Sequence, residues 1–137
     1  MRGVTVNLMK KTRLEYSHLT GTTSTTLIVK PAIKTGRFYE VYFWVRVHEK
    51  NLASANQTIL FGLYNTLPTK EDLREFSEAR PFLDLTMTNG STAPDLLNSS
   101  VGTGPGPYLK FSIVVTQDSA PAILYAQVSA AVVLRER

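Results

Sequence analysis

Cysteine is absent from this chain of 137 residues. That excludes a disulfide frame, a thiolate metal site and thiol redox chemistry. Histidine is nearly absent: His18 and His48 are the whole supply, and neither has a second ligand at H-x-H or H-E-x-x-H spacing. No stretch approaches the roughly 18 apolar residues that a membrane-spanning helix requires. The opening Met1-Arg2-Gly3-Val4-Thr5-Val6-Asn7 reaches a polar residue before any apolar run develops, so no secretion signal is expected. On that reading the N-x-S/T triplets at Asn56, Asn89 and Asn98 are chance matches in a chain rich in threonine and serine.

Catalytic signatures are missing too. There is no G-x-S-x-G, no phosphate loop and no dinucleotide fingerprint. Gly102-Thr103-Gly104 runs into Pro105 and Pro107, a composition expected to form a loop rather than a ladder. Glu71, Asp72, Glu75 and Glu78 share one candidate helix with Lys70 and Arg74, which offset them. No two acids fall on adjacent strand interiors, where a glycosidase would need them. The chain is therefore read as a non-enzyme with no cofactor and no metal.

Charge is sparse and unevenly placed. Charged residues make up 19% of the chain and the net charge is +4. Residues 1–50 hold nine Lys/Arg against three acids, and residues 51–137 hold six against eight. The basic front, with Arg2, Lys10, Lys11 and Arg13, is either a solvated surface or one suited to an acidic partner surface or a phosphate backbone. Its runs are too short to indicate nucleic acid.

What is abundant is alternation. Hydrophobic residues form 43% of the chain, enough for the core of one domain. From Ala122, the residues Leu124, Ala126, Val128, Ala130, Val132 and Leu134 share one face, the period of a long strand. Leu109, Phe111, Ile113 and Val115 do the same, and Gln117 to Pro121 reads as a turn joining the two strands into a hairpin. Further strands are expected at Thr58–Leu63, Leu83–Thr88, Thr25–Lys30, Arg13–His18 and Arg37–Val47, making seven or eight in all. Two short helices are expected in connections. One opens at Thr69 and stops before Pro81; the other opens at Thr92 and passes through Leu96 and Leu97.

Nearly every strand has one apolar face, so two sheets must face each other to bury both. The fold class is all-β, an antiparallel β-sandwich of jelly-roll-like form. Residues 1–137 are read as a single domain, with residues 1–10 either an extended N-terminal arm or an edge strand carrying Val4, Val6 and Leu8.

One strand breaks the pattern. In Arg37–His48 the odd positions Tyr39, Val41, Phe43, Val45 and Val47 are apolar and are assigned to the core. The even positions, Phe38, Glu40, Tyr42, Trp44, Arg46 and His48, mix large aromatics with charges, the composition enriched at binding interfaces. The alternative is that this face is covered within the same chain. His48 and Glu49, as strand neighbours, are expected to point to opposite faces.

The closing stretches Tyr108-Leu109-Lys110-Phe111-Ser112-Ile113-Val114-Val115-Thr116 and Ala126-Gln127-Val128-Ser129-Ala130-Ala131-Val132-Val133-Leu134-Arg135-Glu136 resemble the ends of small β-sandwich proteins encoded among tailed-phage and prophage head genes. The resemblance covers the last third of the chain. It implies a decoration or cement protein, made in the host cytoplasm and placed on the capsid surface of the virion. It further implies the major capsid protein as partner and a homotrimer at local threefold sites, with no membrane and no nucleic acid involved. The candidate partner-binding residues are Phe38, Tyr42, Trp44, Arg46, Arg2, Lys10, Lys11 and Arg13. The alternative is a carbohydrate-binding module that stacks sugars on Tyr42 and Trp44.

Overall fold

The computed structural model describes residues 3–18, 23–29, 32–52, 57–66, 79–88, 95–99, 101–117 and 122–136. All of the regular structure in them is strand. In chain order the strands are β1 (Gly3–His18), β2 (Thr23–Val29), β3 (Ile33–Lys34), β4 (Phe38–Asn51), β5 (Thr58–Thr66), β6 (Leu83–Thr88), β7 (Asp95–Asn98), β8 (Gly102–Thr103), β9 (Tyr108–Gln117) and β10 (Ala122–Glu136).

They form two antiparallel sheets. Sheet A runs β1-β10-β4-β7, with β8 also on β4, and sheet B runs β2-β9-β5-β6, with β3 also on β9. The first strand pairs with the last, and the second pairs with the one before the last. This order is compatible with a jelly roll, in which the chain rolls up as a folded ribbon.

Alternation decides what lies between the sheets. Val41, Phe43, Val45 and Val47 of β4 are fully buried, as are Leu124, Ala126, Val128 and Val132 of β10. From sheet B come Ile59, Phe61, Leu63, Met87, Leu109, Ile113 and Val115, also fully buried. Phe43 and Phe111 meet edge to face across the gap, with ring centroids 5.9 Å apart, a favoured aromatic geometry. At about 25 cal/mol per Å² of apolar surface removed from water, this layer is the main source of stability.

Several expectations from the sequence are corrected. β9 and β10 do not form a hairpin, because β9 pairs with β2, β3 and β5 while β10 pairs with β1 and β4. The chain crosses between sheets there, and both strands sit interior to their sheets. The helix expected through Leu96 and Leu97 is strand β7, paired to β4 through Leu96↔Arg46 and Leu97↔Val45. On that sheet edge Leu97 packs against the core while Leu96 faces out, 48% exposed. Gly102 and Thr103, expected in a loop, pair with Val41 and Glu40. Residues 69–78, where the other helix was expected, lie outside the described residues.

Residues 3–10 are not an arm. They open β1, which is hydrogen-bonded to β10 from Gly3↔Arg135 onward and forms the edge strand of sheet A. Leu8 and Met9 are buried in the core. The turn that feeds β4 is tight: Phe38 N–H donates to Thr35 O at 2.9 Å, and Gly36 takes φ +53° between them. A Cβ there would be strained whatever the space around it.

Candidate functional site

The outer face of sheet A is shaped by irregularities in β1. Asn7 pairs with Ala131 and Met9 with Ala130, so Leu8 is one residue too many; Met9 pairs with Ala130 and Thr12 with Val128, so Lys10 and Lys11 together oppose Ser129. These are β-bulges, which re-aim side chains. Both lysines are exposed.

Across β10 from the lysines stands β4, in the register Ser129↔Arg46 and Ala131↔Trp44. Between the two walls β10 offers only small side chains. The result is an open depression of about 420 Å³, lined by Lys10 and Lys11 with Asn7 on one side, Trp44 and Arg46 with Leu96 on the other, and Ser129 and Ala131 as floor. That volume falls within the roughly 300–1,000 Å³ range of ligand pockets. Trp44 is half-buried, and Arg46 is exposed.

The electrostatics of the face are asymmetric. Arg13 pairs with Glu15 at 3.1 Å and lies over the Tyr125 ring at 4.2 Å. Arg135 lies over the Tyr42 ring at 4.9 Å, and the Tyr42 hydroxyl donates to Glu40 Oε2 at 2.9 Å. That hydrogen bond to Glu40 is the main reason the Tyr42 hydroxyl titrates above the usual phenol value of 10.0. Arg37 forms an ion pair with Glu136. By contrast Lys10, Lys11 and Arg46 pair with no carboxylate among the described residues. Three cations with no carboxylate partner among the described residues therefore converge on one depression, which focuses positive potential there.

The residues singled out from sequence divide accordingly. Trp44, Arg46, Lys10 and Lys11 meet in the depression, although the two pairs lie on different strands far apart in sequence. Tyr42 and Arg13 lie on the same strands as this wall and are held by their own partners. Phe38 does not belong to the site. The register shift between Glu40↔Arg135 and Phe38↔Glu136 resets the alternation, and Phe38 packs against the core. Arg2 lies outside the described residues.

A second shift, between Gln127↔Glu49 and Val128↔Val47, makes His48 the extra residue and sets Glu49 opposite Gln127. The expected opposition of His48 and Glu49 therefore fails. His48 is half-buried, with Nε2 3.1 Å from Ser129 Oγ. Asn7, Leu96, Ser129 and Ala131 were missed from sequence. The available signal was the pair of small outward positions, Ser129 and Ala131, among larger ones on β10. No group of three His, Cys, Asp or Glu that could hold a metal occurs among the described residues.

No protein-family model matches the chain, and no curated protein matches it. The fold is similar to two solved structures from infectious bursal disease virus. One is the VP2 subviral particle, with TM-score 0.55 and 13% identity over 98% of this chain and 32% of that one. The other is the Gx strain, with TM-score 0.50 and 13% identity over 97% of this chain and 31% of that one. This chain thus spans about a third of the length of the structures it matches. At such identity the likeness is one of fold.

Proposed function

We propose that this chain is a structural protein of a virus particle, which decorates the outer surface of a capsid and reinforces its lattice, and which assembles as a homotrimer on the major capsid protein. The observation that carries the reading is the open, basic, aromatic-walled depression on one outer face of a sandwich similar in fold to part of the infectious bursal disease virus VP2 subviral particle. Lys10, Lys11 and Arg46 are exposed on this outer face, within reach of a partner. Trp44 and Arg46, with Lys10 and Lys11, form the centre of the contact, and Tyr42 and Arg13 flank it. Aromatic and arginine residues are the usual anchors of such contacts. Many copies on one lattice make a modest contact sufficient, because neighbouring attachments raise the effective concentration of each.

The test joins native mass measurement to co-sedimentation with particles. Wild-type chain is expected as a trimer that sediments with capsids. Trp44→Ala combined with Arg46→Glu is expected to keep the fold and lose attachment. A monomer that never sediments with particles discards the proposal.

A further inference from the structure

We propose that the depression on sheet A receives an acidic protein segment from the partner: a carboxylate among Lys10, Lys11 and Arg46, and an apolar side chain beside it against Trp44 and Leu96. This rests on reading the face as a partner contact and names what the partner must present there.

The charge argument comes first. Two lysines in sequence normally point to opposite sides of a strand. Here the bulge sets both against Ser129, on the side where Arg46 stands in register. None of the three cations is neutralised within the described residues. Lysines and bulges on an edge strand also discourage strand-to-strand aggregation. That role needs neither the concavity nor Arg46, which lies two strands further in, on β4.

The chemistry of the lining then selects the occupant. Leu96 is 48% exposed beside half-buried Trp44, so this wall offers apolar surface next to Arg46. Lys10, Lys11, Arg46 and the Trp44 indole N–H can donate but not accept, and acceptors for hydroxyl protons are few: the Asn7 amide oxygen and Ser129 Oγ, which also engages His48 Nε2 at 3.1 Å. A saccharide would leave many hydroxyls without partners, at a cost for each one desolvated. A glutamate or aspartate next to a leucine or phenylalanine needs only what the site has. The shape agrees. The lining crosses four strands, from β1 through β10 and β4 to β7, a width of about 14 Å against about 7 Å along the strands. That suits the tip of a loop rather than a strand added along the edge.

Trp44 is the only tryptophan in the chain, so its fluorescence reads the site directly. The probes are a short peptide alternating glutamate and leucine, and a sulfated tetrasaccharide. The peptide is expected to shift Trp44 emission saturably, with affinity falling as salt is raised. Lys11→Glu with Arg46→Glu should bind at least about tenfold more weakly, while its thermal melt stays close to that of the wild type. Lys10→Ala with Lys11→Ala, which adds no negative charge, should show a smaller loss. Absence of a saturable shift, equal binding by the charge-reversed variant, or a response to the tetrasaccharide alone each overturns the acidic-segment proposal. Particle co-sedimentation is read separately. Chain that takes the peptide but never sediments with particles sinks the capsid reading and upholds the site. Chain that sediments with particles but ignores the peptide sinks the site alone.

Discussion

The two sheets contribute matching inner faces and unlike outer ones. On sheet B, β9 turns Lys110 and Ser112 outward opposite Tyr64 and Gly62, yet both are nearly closed to solvent, at 5% and 6% exposed. Lys110 Nζ lies over the Tyr64 ring at 5.4 Å. Gly62 makes room for that ring, since a Cβ there would come within 2.6 Å of Tyr64 Cε2. On sheet A, Lys10, Lys11 and Arg46 stand in the open around a depression. A cation held on an aromatic ring and shielded from water is part of a fold's structure. A cluster of exposed cations contributes little to stability and is available to a partner. Placement on the outside of a sheet therefore does not by itself make a surface functional.

The largest effect expected from substitution falls on the shared inner layer. Val128→Asp puts a carboxylate where the side chain is fully buried, and a loss above about 4 kcal/mol is expected. Circular dichroism should show an unfolded or aggregated protein. A soluble variant that melts cooperatively would break the assignment of β10 to the core.

Removing residues 1–9 comes next, and it separates an edge strand from an arm. Leu8 and Met9 are buried, and burial of such side chains contributes about 1.5–3 kcal/mol each. The deletion also bares the edge of β10. A clear fall in melting temperature, with aggregation, is expected in a thermal melt. An unchanged melt would restore the arm.

The same substitution made on both sheets sharpens the contrast. Lys110→Glu places a nearly buried carboxylate over an aromatic ring and is expected to cost about 2–4 kcal/mol. Lys11→Glu changes an exposed residue and should stay within about 0.5 kcal/mol. Equal costs in urea denaturation would mean that the two outer faces do not differ as described.

The smallest effect is in alkali. Burial, with the Asp84 charge, raises the Tyr64 hydroxyl above 10.0, and the Glu40 hydrogen bond does the same for Tyr42. A group with a raised folded value contributes stability that is complete below its unfolded value and is lost as pH climbs through the folded one. Stability should hold to about pH 10 and decline above it. In an absorbance titration part of the tyrosinate signal should appear late, and Tyr42→Phe should remove some of that late part.

Much of the fold was legible in the sequence because burial on a sheet has a period of two. Val41 to Val47, Leu109 to Val115 and Leu124 to Leu134 declared their inner faces without help. The bulges in β1 were hidden for a physical reason. Each adds one residue, so two of them restore the original phase, and Val4, Val6 and Leu14 look like one unbroken alternation. The meeting of Lys10 and Lys11 with Arg46 was lost with them. The single shift at Tyr39 misplaced Phe38 in the same way. The supposed hairpin of β9 and β10 failed because a turn composition does not tell which sheet the chain enters next. Thr92 and Pro94 point to a helix through Leu96 and Leu97, whereas pairing with β4 makes these two residues strand.

The most direct measurement is the number of copies of this chain per purified particle, for wild type and for Lys11→Glu with Arg46→Glu, in cells that make both chain and capsid. Wild type should be present at a fixed high copy number. The charge-reversed variant, folded to the same melting temperature, should be nearly absent from particles. Equal incorporation of the two, or absence of the wild type, would contradict the claim that the open basic face of sheet A is where this protein meets its partner.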